Sequence, residues 1–173
     1  LIPPVISSIA SSTTPYTATI TWNTDELALP AVDYGLTSGY GTASSSGTLT
    51  LTPSITLTGL TPSTTYHFKV TSQDASGNST SSTDKIFTTP ADTTAPVISS
   101  LTTTTSLTSA TITWVTNENA SSSVSYGSST ADYTITATSS GHTTHSVTLT
   151  GLTEGTTYYY RVLARDIYTN VAT

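Results

Sequence analysis

The sequence predicts an all-β chain built as two tandem β-sandwiches. Three observations carry this reading. Apolar residues alternate with hydroxyl-bearing ones along short runs, which is the period of a half-buried strand. No stretch repeats its apolar residues at the helical period. And one whole pattern is written twice: SITLTGLTPSTTYHFKV at Ser54 to Val70 returns as SVTLTGLTEGTTYYYRV at Ser146 to Val162.

Setting Trp22 on Trp114 gives an offset of 92 residues (114 − 22), and the same offset carries Pro4 to Pro96, Gly35 to Gly127, Gly59 to Gly151 and Tyr66 to Tyr158. That period is too long for a solenoid unit and right for a complete sandwich domain. The domains are expected at residues 1–91 and 92–173, with TTPADTTAP, Thr88 to Pro96, as the semi-extended junction. The match weakens between Gly41 and Thr52 and between Tyr133 and Thr144, where compensating insertions are expected.

Each strand follows from its own residues. In ATITW, Ala18, Ile20 and Trp22 face one way and Thr19 and Thr21 the other; Ala110, Ile112 and Trp114 repeat this. In AVDYG, Val32 and Tyr34 oppose Asp33. Ile55 and Leu57 alternate with Thr56 and Thr58, and Tyr66, Phe68 and Val70 alternate with His67 and Lys69. β-Branched threonine suits the outward positions. After Gly59, Leu60 is expected to enter the core, as is Leu152 after Gly151, and a turn then leads to Tyr66 or Tyr158 at the head of the next strand. A tyrosine there can return its hydroxyl to backbone just upstream, a tyrosine corner. STDKIFTT, Ser82 to Thr89, reads as the last strand of copy one. At the common offset its counterpart would occupy positions 174–181, so copy two is expected to lack that strand within residues 92–173 or to receive it from elsewhere.

Bulk composition excludes several classes. Only 8% of residues are charged and the net charge is −6 with four basic residues, too few for a phosphate-binding stripe, so nucleic acid is not an expected partner. No apolar run is long enough to span a membrane. Cysteine is absent, which removes disulfides, thiolate metal sites and cysteine nucleophiles. Serine and threonine make up about two residues in five, far above ordinary usage. The start at Leu1, without a signal-peptide pattern, reads as a mature product or an excerpt of a longer chain.

The tryptophan closing an early strand (Trp22, Trp114), the V-x-Y-G that follows (Val32 to Gly35, Val124 to Gly127) and the G-L-T-x-x-T-x-Y before an aromatic strand resemble fibronectin type III domains. They look closest to the bacterial and archaeal branch and to the similar domain that precedes the catalytic part of purple acid phosphatases. Asp74-Ala-Ser-Gly-Asn78 also resembles that branch; copy two keeps Asp166 and Asn170 but carries Tyr168-Thr169 where copy one has Ser76-Gly77. The resemblance implies immunoglobulin-like sandwiches that serve as spacer, scaffold or adhesive modules.

Candidate sites are few. His142 and His145 suggest a metal pair, but residues three apart on a strand face opposite sides, so both are expected as exposed polar residues beside a turn. Asp25-Glu26 and Asn117-Glu118 occupy equivalent places after the tryptophans, either as a cation or acid–base pair or as loop acceptors for backbone amides; the loss of one charge in copy two favours the latter. Tyr159, outward between Tyr158 and Tyr160, could stack on a sugar or simply cover its sheet. Asn78 and Asn119 begin N-glycosylation triplets, both expected in loops. No G-x-S-x-G and no Ser–His–Asp arrangement occurs, so no catalytic residue, metal or cofactor is expected. The expected role is a non-catalytic extracellular or cell-surface module, prokaryotic in origin, a spacer or repeated unit of a filament. Its partners would be other copies or neighbouring domains. The rival roles are carbohydrate or surface adhesion and service as an accessory region of a secreted hydrolase.

Overall fold

The computed structural model describes residues 2–130, 133 and 135–173, with no side-chain description for 135–137. It separates into two compact units, Leu1–Asp92 and Thr93–Thr173. Among the described residues every regular element is a strand, and no helix is long and apolar enough to cross a membrane.

Unit 1 is a sandwich. Strands β1 (Ile6–Thr13), β2 (Thr17–Thr24) and β5 (Ser54–Thr58) form one antiparallel sheet in the order β1-β2-β5. Strands β3 (Ala28–Gly35), β4 (Thr42–Ser45), β6 (Thr65–Asp74), β7 (Ser79–Ser81) and β8 (Lys85–Thr88) form the other, ordered β4-β3-β6-β7 with β8 also on β6. The alternation in the sequence becomes alternation of burial. Ala18, Ile20 and Trp22 of β2 meet Tyr66, Phe68 and Val70 of β6, joined by Val32, Ile55, Leu57, Leu60 and Phe87. Each fully buried aliphatic side chain contributes roughly 1.5–3 kcal/mol.

Unit 2 rebuilds this plan with strands β9 (Ile98–Thr105), β10 (Ser109–Gly127), β11 (Ile135–Thr150), β12 (Tyr159–Arg165) and β13 (Val171–Ala172). Its core holds Ile112, Trp114, Val124, Tyr126, Val147, Leu149 and Val162, with Leu152, Tyr158 and Tyr160 partly buried against it. Even irregularities recur. Ser8 and Ser100 both take positive φ (54° and 52°) in the first strand of their unit, each beside a break in its ladder. Such bulges bend a strand and blunt an edge.

One expectation needs correction here. The segment after Trp114 is not a loop. β10 runs unbroken through Asn117, Glu118 and Asn119, pairing first with β9 and β11 and then with β12, so one strand serves both layers. In unit 1 the same path is split at Asp25–Leu27 between β2 and β3. The β10–β11 ladder shifts register between Val115 and Ala120, and the extra residues are absorbed there rather than in a loop. Asn119 is therefore an exposed strand residue, not a loop acceptor. β13 pairs with Ala164 and Arg165 as β7 pairs with Thr71 to Gln73, and at the common offset it is the counterpart of β7.

The doubled segment forms the same corner twice. The Thr61 N–H donates to the Tyr66 hydroxyl oxygen at 3.0 Å, and the Thr153 N–H donates to the Tyr158 hydroxyl oxygen at 3.1 Å. The first bond is part-buried and the second exposed to water. Tyr66→Phe, which strands the Thr61 amide, is expected to cost unit 1 roughly 1 kcal/mol. Tyr158→Phe is expected to cost unit 2 less, because water can replace the lost oxygen. Denaturant midpoints of the two variants check the order.

The tryptophans differ in one respect. The Trp22 indole N–H donates to Ser72 Oγ at 2.9 Å, and both groups are fully buried. At the common offset Ser72 becomes Ala164, and the Trp114 N–H has no partner among the described residues. The hydroxyl of Ser122, opposite Ala164 in the β10–β12 ladder, is also buried without one. Ala164→Ser is expected to stabilise unit 2 by about 1 kcal/mol by restoring the bond, read as a higher denaturation midpoint.

Candidate functional site

The densest group of functional side chains in unit 1 lies on the outer face of the β3–β6 sheet. Gly35 ends β3, and the segment after it folds back so closely that a Cβ at Gly35 would lie 2.0 Å from the Tyr40 carbonyl oxygen. Only glycine permits this approach. It sets Tyr40, itself at φ 57°, over the sheet face. There the Tyr40 hydroxyl donates to Asp84 Oδ1 at 3.0 Å, and His67 Nδ1 meets Asp84 Oδ2 at 2.8 Å. Lys69 Nζ lies 5.3 Å from the centre of the Tyr40 ring and 3.4 Å from Asp33 Oδ2. The His67 bond, then that from Tyr40, hold the Asp84 carboxyl below its ordinary value. Partial desolvation, then the Asp84 bond and charge, push the Tyr40 phenol up. An anionic Asp84 between two donors orders two connecting segments. Among the described residues it has no adjacent nucleophile to activate, and it and His67 are each roughly a third exposed.

Unit 2 keeps part of this arrangement. Arg161, the counterpart of Lys69, lies 5.3 Å from the Tyr133 ring centre. A cation under a loop tyrosine is thus common to both units, worth roughly 0.5–1 kcal/mol at an exposed position. Tyr159 stands where unit 1 has His67 and is exposed.

Of the candidate pairs after the tryptophans, Asp25 and Asn117 are structural acceptors. Asp25 Oδ1 accepts the Val5 N–H at 2.7 Å, and Asn117 Oδ1 accepts the Val97 N–H at 2.6 Å. Both pairs sit at the common offset. The position needs an oxygen and not a charge, which is why Asp and Asn exchange there. Asp74 Oδ1 accepts the N–H groups of Ser76 and Asn78, and its Oδ2 accepts the Asn78 side-chain N–H at 2.6 Å. These bonds, the Asn78 side chain first, lower the Asp74 carboxyl below its ordinary value of 3.8. The Asn78 amide, read from sequence as a glycan acceptor, is engaged in holding its hairpin. Asp166 and Asn170 form the same clamp. There the turn residue is Thr169 at φ 75°, where unit 1 has Gly77 at φ 88°. A β-branched residue in that region is strained, so the clamp restrains a backbone that glycine would adopt freely.

The histidines separate as strand geometry requires, but one was misplaced by sequence. His142 is exposed, whereas His145 is 1% exposed and stacks on Trp114 with ring centres 5.2 Å apart. At the offset it replaces the buried Pro53. Thr116 Oγ1 donates to the Glu118 carbonyl at 2.7 Å, so it must accept from His145 Nε2 at 3.0 Å. That fixes the tautomer and leaves Nδ1 unprotonated, with no hydrogen-bond partner among the described residues. Burial, and then the charge of His142, hold His145 below its ordinary value of 6.5. Charging it would bury an unpaired cation. The unfolded chain takes that proton more readily, so unit 2 stability is full above about pH 6.5 and falls as pH drops below it. His145→Phe is expected to flatten this dependence, checked by denaturation of both proteins across pH 5 to 8.

Comparison with known proteins agrees with this architecture. The fibronectin type III family profile matches residues 3–89, and the profile of the purple acid phosphatase N-terminal domain matches residues 96–173. No curated protein sequence matches the chain. Among solved structures, a two-domain fibronectin type III segment of chicken tenascin aligns with 99% of this chain and 95% of its own, at TM-score 0.51 and 17% identity. A human fibronectin type III domain from the KIAA0970 protein aligns with 50% of this chain and 73% of its own, at 29% identity and TM-score 0.40. The FN1–FN3 domains of chicken CNTN1 align with 97% of this chain and 63% of theirs, at 18% identity and TM-score 0.42. With its first unit matched throughout and its two-sandwich order shared with tenascin, the chain belongs to the fibronectin type III family.

Proposed function

We propose that the chain is a non-catalytic structural module of a cell-surface or secreted prokaryotic protein, acting as a spacer or repeated unit. The observation that supports this most is the use made of its polar side chains. Asp25, Asn117, Asp74, Asn78, Asp166 and Asn170 all bond the backbone or each other. Groups so engaged are poor candidates for turnover. Hydroxyl-rich strand faces with few titratable groups also suit an exterior of changing pH and redox state. The pure chain is expected to hydrolyse neither phosphate esters nor glycosides, and antibodies to it are expected to label intact source cells. Turnover that persists through purification, or labelling only after permeabilisation, would overturn the reading.

The match of residues 96–173 to the purple acid phosphatase N-terminal domain supports a second reading, that of an accessory region beside a hydrolase domain. The same parent protein would then show phosphatase activity that this chain alone lacks.

A further inference from the structure

Asn78-Ser79-Thr80 and Asn119-Ala120-Ser121 both have the form of an acceptor for an N-linked glycan, and no other asparagine of the chain is followed two residues on by serine or threonine. The structure separates the two. Asn78 is committed to its hairpin. Its Nδ2 donates to Asp74 Oδ2 at 2.6 Å, its N–H donates to Asp74 Oδ1 at 2.8 Å, and its carbonyl accepts the Asp74 N–H at 2.9 Å. A sugar on Nδ2 would replace one of the two amide protons and set a ring against the carboxylate that the amide clamps. The same Asp–Asn clamp recurs at Asp166 and Asn170, where Asn170-Val171-Ala172 is no acceptor. The asparagine at this place therefore answers to the clamp and not to a glycan.

Asn119 has no such duty. It stands where β10 passes from one layer to the other, after Thr116, the last residue in register with β9, and before Ser121, the first in register with β12. The β10–β11 ladder breaks over the same stretch and resumes at Ala120. Among the described residues the Asn119 side chain makes no hydrogen bond, while Asn117 is tied to the Val97 N–H. Strand alternation sets the rest of the triplet. Asn119 and Ser121 are exposed, and Ala120 between them is 2% exposed. The acceptor amide and the hydroxyl two residues on thus share one outward face, anchored by a buried alanine. Ser121 Oγ donates to the Arg165 carbonyl at 3.1 Å in an exposed setting, so water or an enzyme group can take over that bond at little cost. The exposure belongs to the place in the fold: the counterpart of Asn119 at the common offset is Leu27, which is 56% exposed in unit 1.

We propose that Asn119 carries an N-linked glycan and that Asn78 does not. The inference rests on the cell-surface or secreted reading above, because the donor is an oligosaccharide joined through diphosphate to a membrane lipid, and a membrane-bound transferase delivers it to exported chains. In the transfer, Asn119 Nδ2 bonds to the anomeric carbon of the sugar. The bond from that carbon to the phosphate oxygen breaks, the lipid diphosphate leaves with the electron pair, and one amide proton passes to a base of the transferase. Ser121 is the residue by which the transferase recognises the site. A bulky hydrated group at this place shields the crossing of β10 from proteases and from foreign strands.

The test takes the protein from its source cells and maps its chymotryptic peptides by mass. Cleavage after Trp114 and Tyr126 isolates Val115–Tyr126, in which Asn119 opens the single acceptor triplet. The expected result is a glycan mass on that peptide and none at Asn78. The added mass should be lost in Asn119→Gln and in Ser121→Ala, and kept in Ser121→Thr and Asn78→Gln. Asn119 and Ser121 are exposed, so their variants are expected to fold as the parent does. A bare Val115–Tyr126 peptide from protein that antibodies label on intact cells overturns this inference and leaves the surface reading standing. Added mass on the peptide that survives Ser121→Ala, or a glycan at Asn78 instead, equally overturns it. A bare peptide together with labelling only after permeabilisation overturns both readings.

Discussion

Everything in either sandwich is arranged around one buried indole. Trp22 and Trp114 are each 1% exposed, among the largest fully buried side chains of their units. A ring of that size holds two sheets at their usual separation of about 10 Å and removes on the order of 150–250 Å² from water. It also carries an N–H that cannot be left dry without cost. Unit 1 meets that demand from β6, with Ser72. Unit 2 has alanine in that place and a serine, Ser122, opposite it on β10, and among the described residues indole and hydroxyl are both buried and unpaired. It has also replaced a buried proline by His145, stacked on the same ring. The two copies therefore share a frame and differ in how well its centre is satisfied.

Away from that centre, polar side chains complete the backbone. The acceptor at Asp25 or Asn117 ties down the first segment of its unit. The Asp–Asn clamp closes the hairpin after the sixth strand of unit 1 and its counterpart. Asp84 gathers Tyr40 and His67 over the sheet. The first two sets of bonds lie where strands begin or end, which is where a sandwich leaves N–H groups without ladder partners. The same residue types that suggest chemistry in a linear reading are spent on that accounting.

The strands and the corners were legible because each rests on local signals: period-two burial at Ala18, Ile20 and Trp22, and the spacing from Gly59 to Tyr66. The family likeness rested on those residues too. Three features were not legible. The fusion of two strands into β10 depends on which neighbours Asn117 to Ala120 acquire, and polar residues there look like a loop in isolation. The burial of His145 depends on a ring from another strand, and its neighbours Thr144 and Ser146 give no contrast between inside and outside. The Tyr40–Asp84–His67 group depends on Gly35 admitting a returning segment, a contact that no spacing announces. The candidate site was thus the least visible part, since it is assembled from β3, β6 and two connections by tertiary contact alone.

The interchange of Asp25 and Asn117 has a consequence for the charge of the two units. Because the position asks only for an oxygen, substitution between these two residues changes the charge of a copy by one without touching its fold. The two units can then differ in net charge, and with it in repulsion from neighbouring molecules and tolerance of salt, while keeping one fold. Folding and surface potential are, at this one position, independent variables.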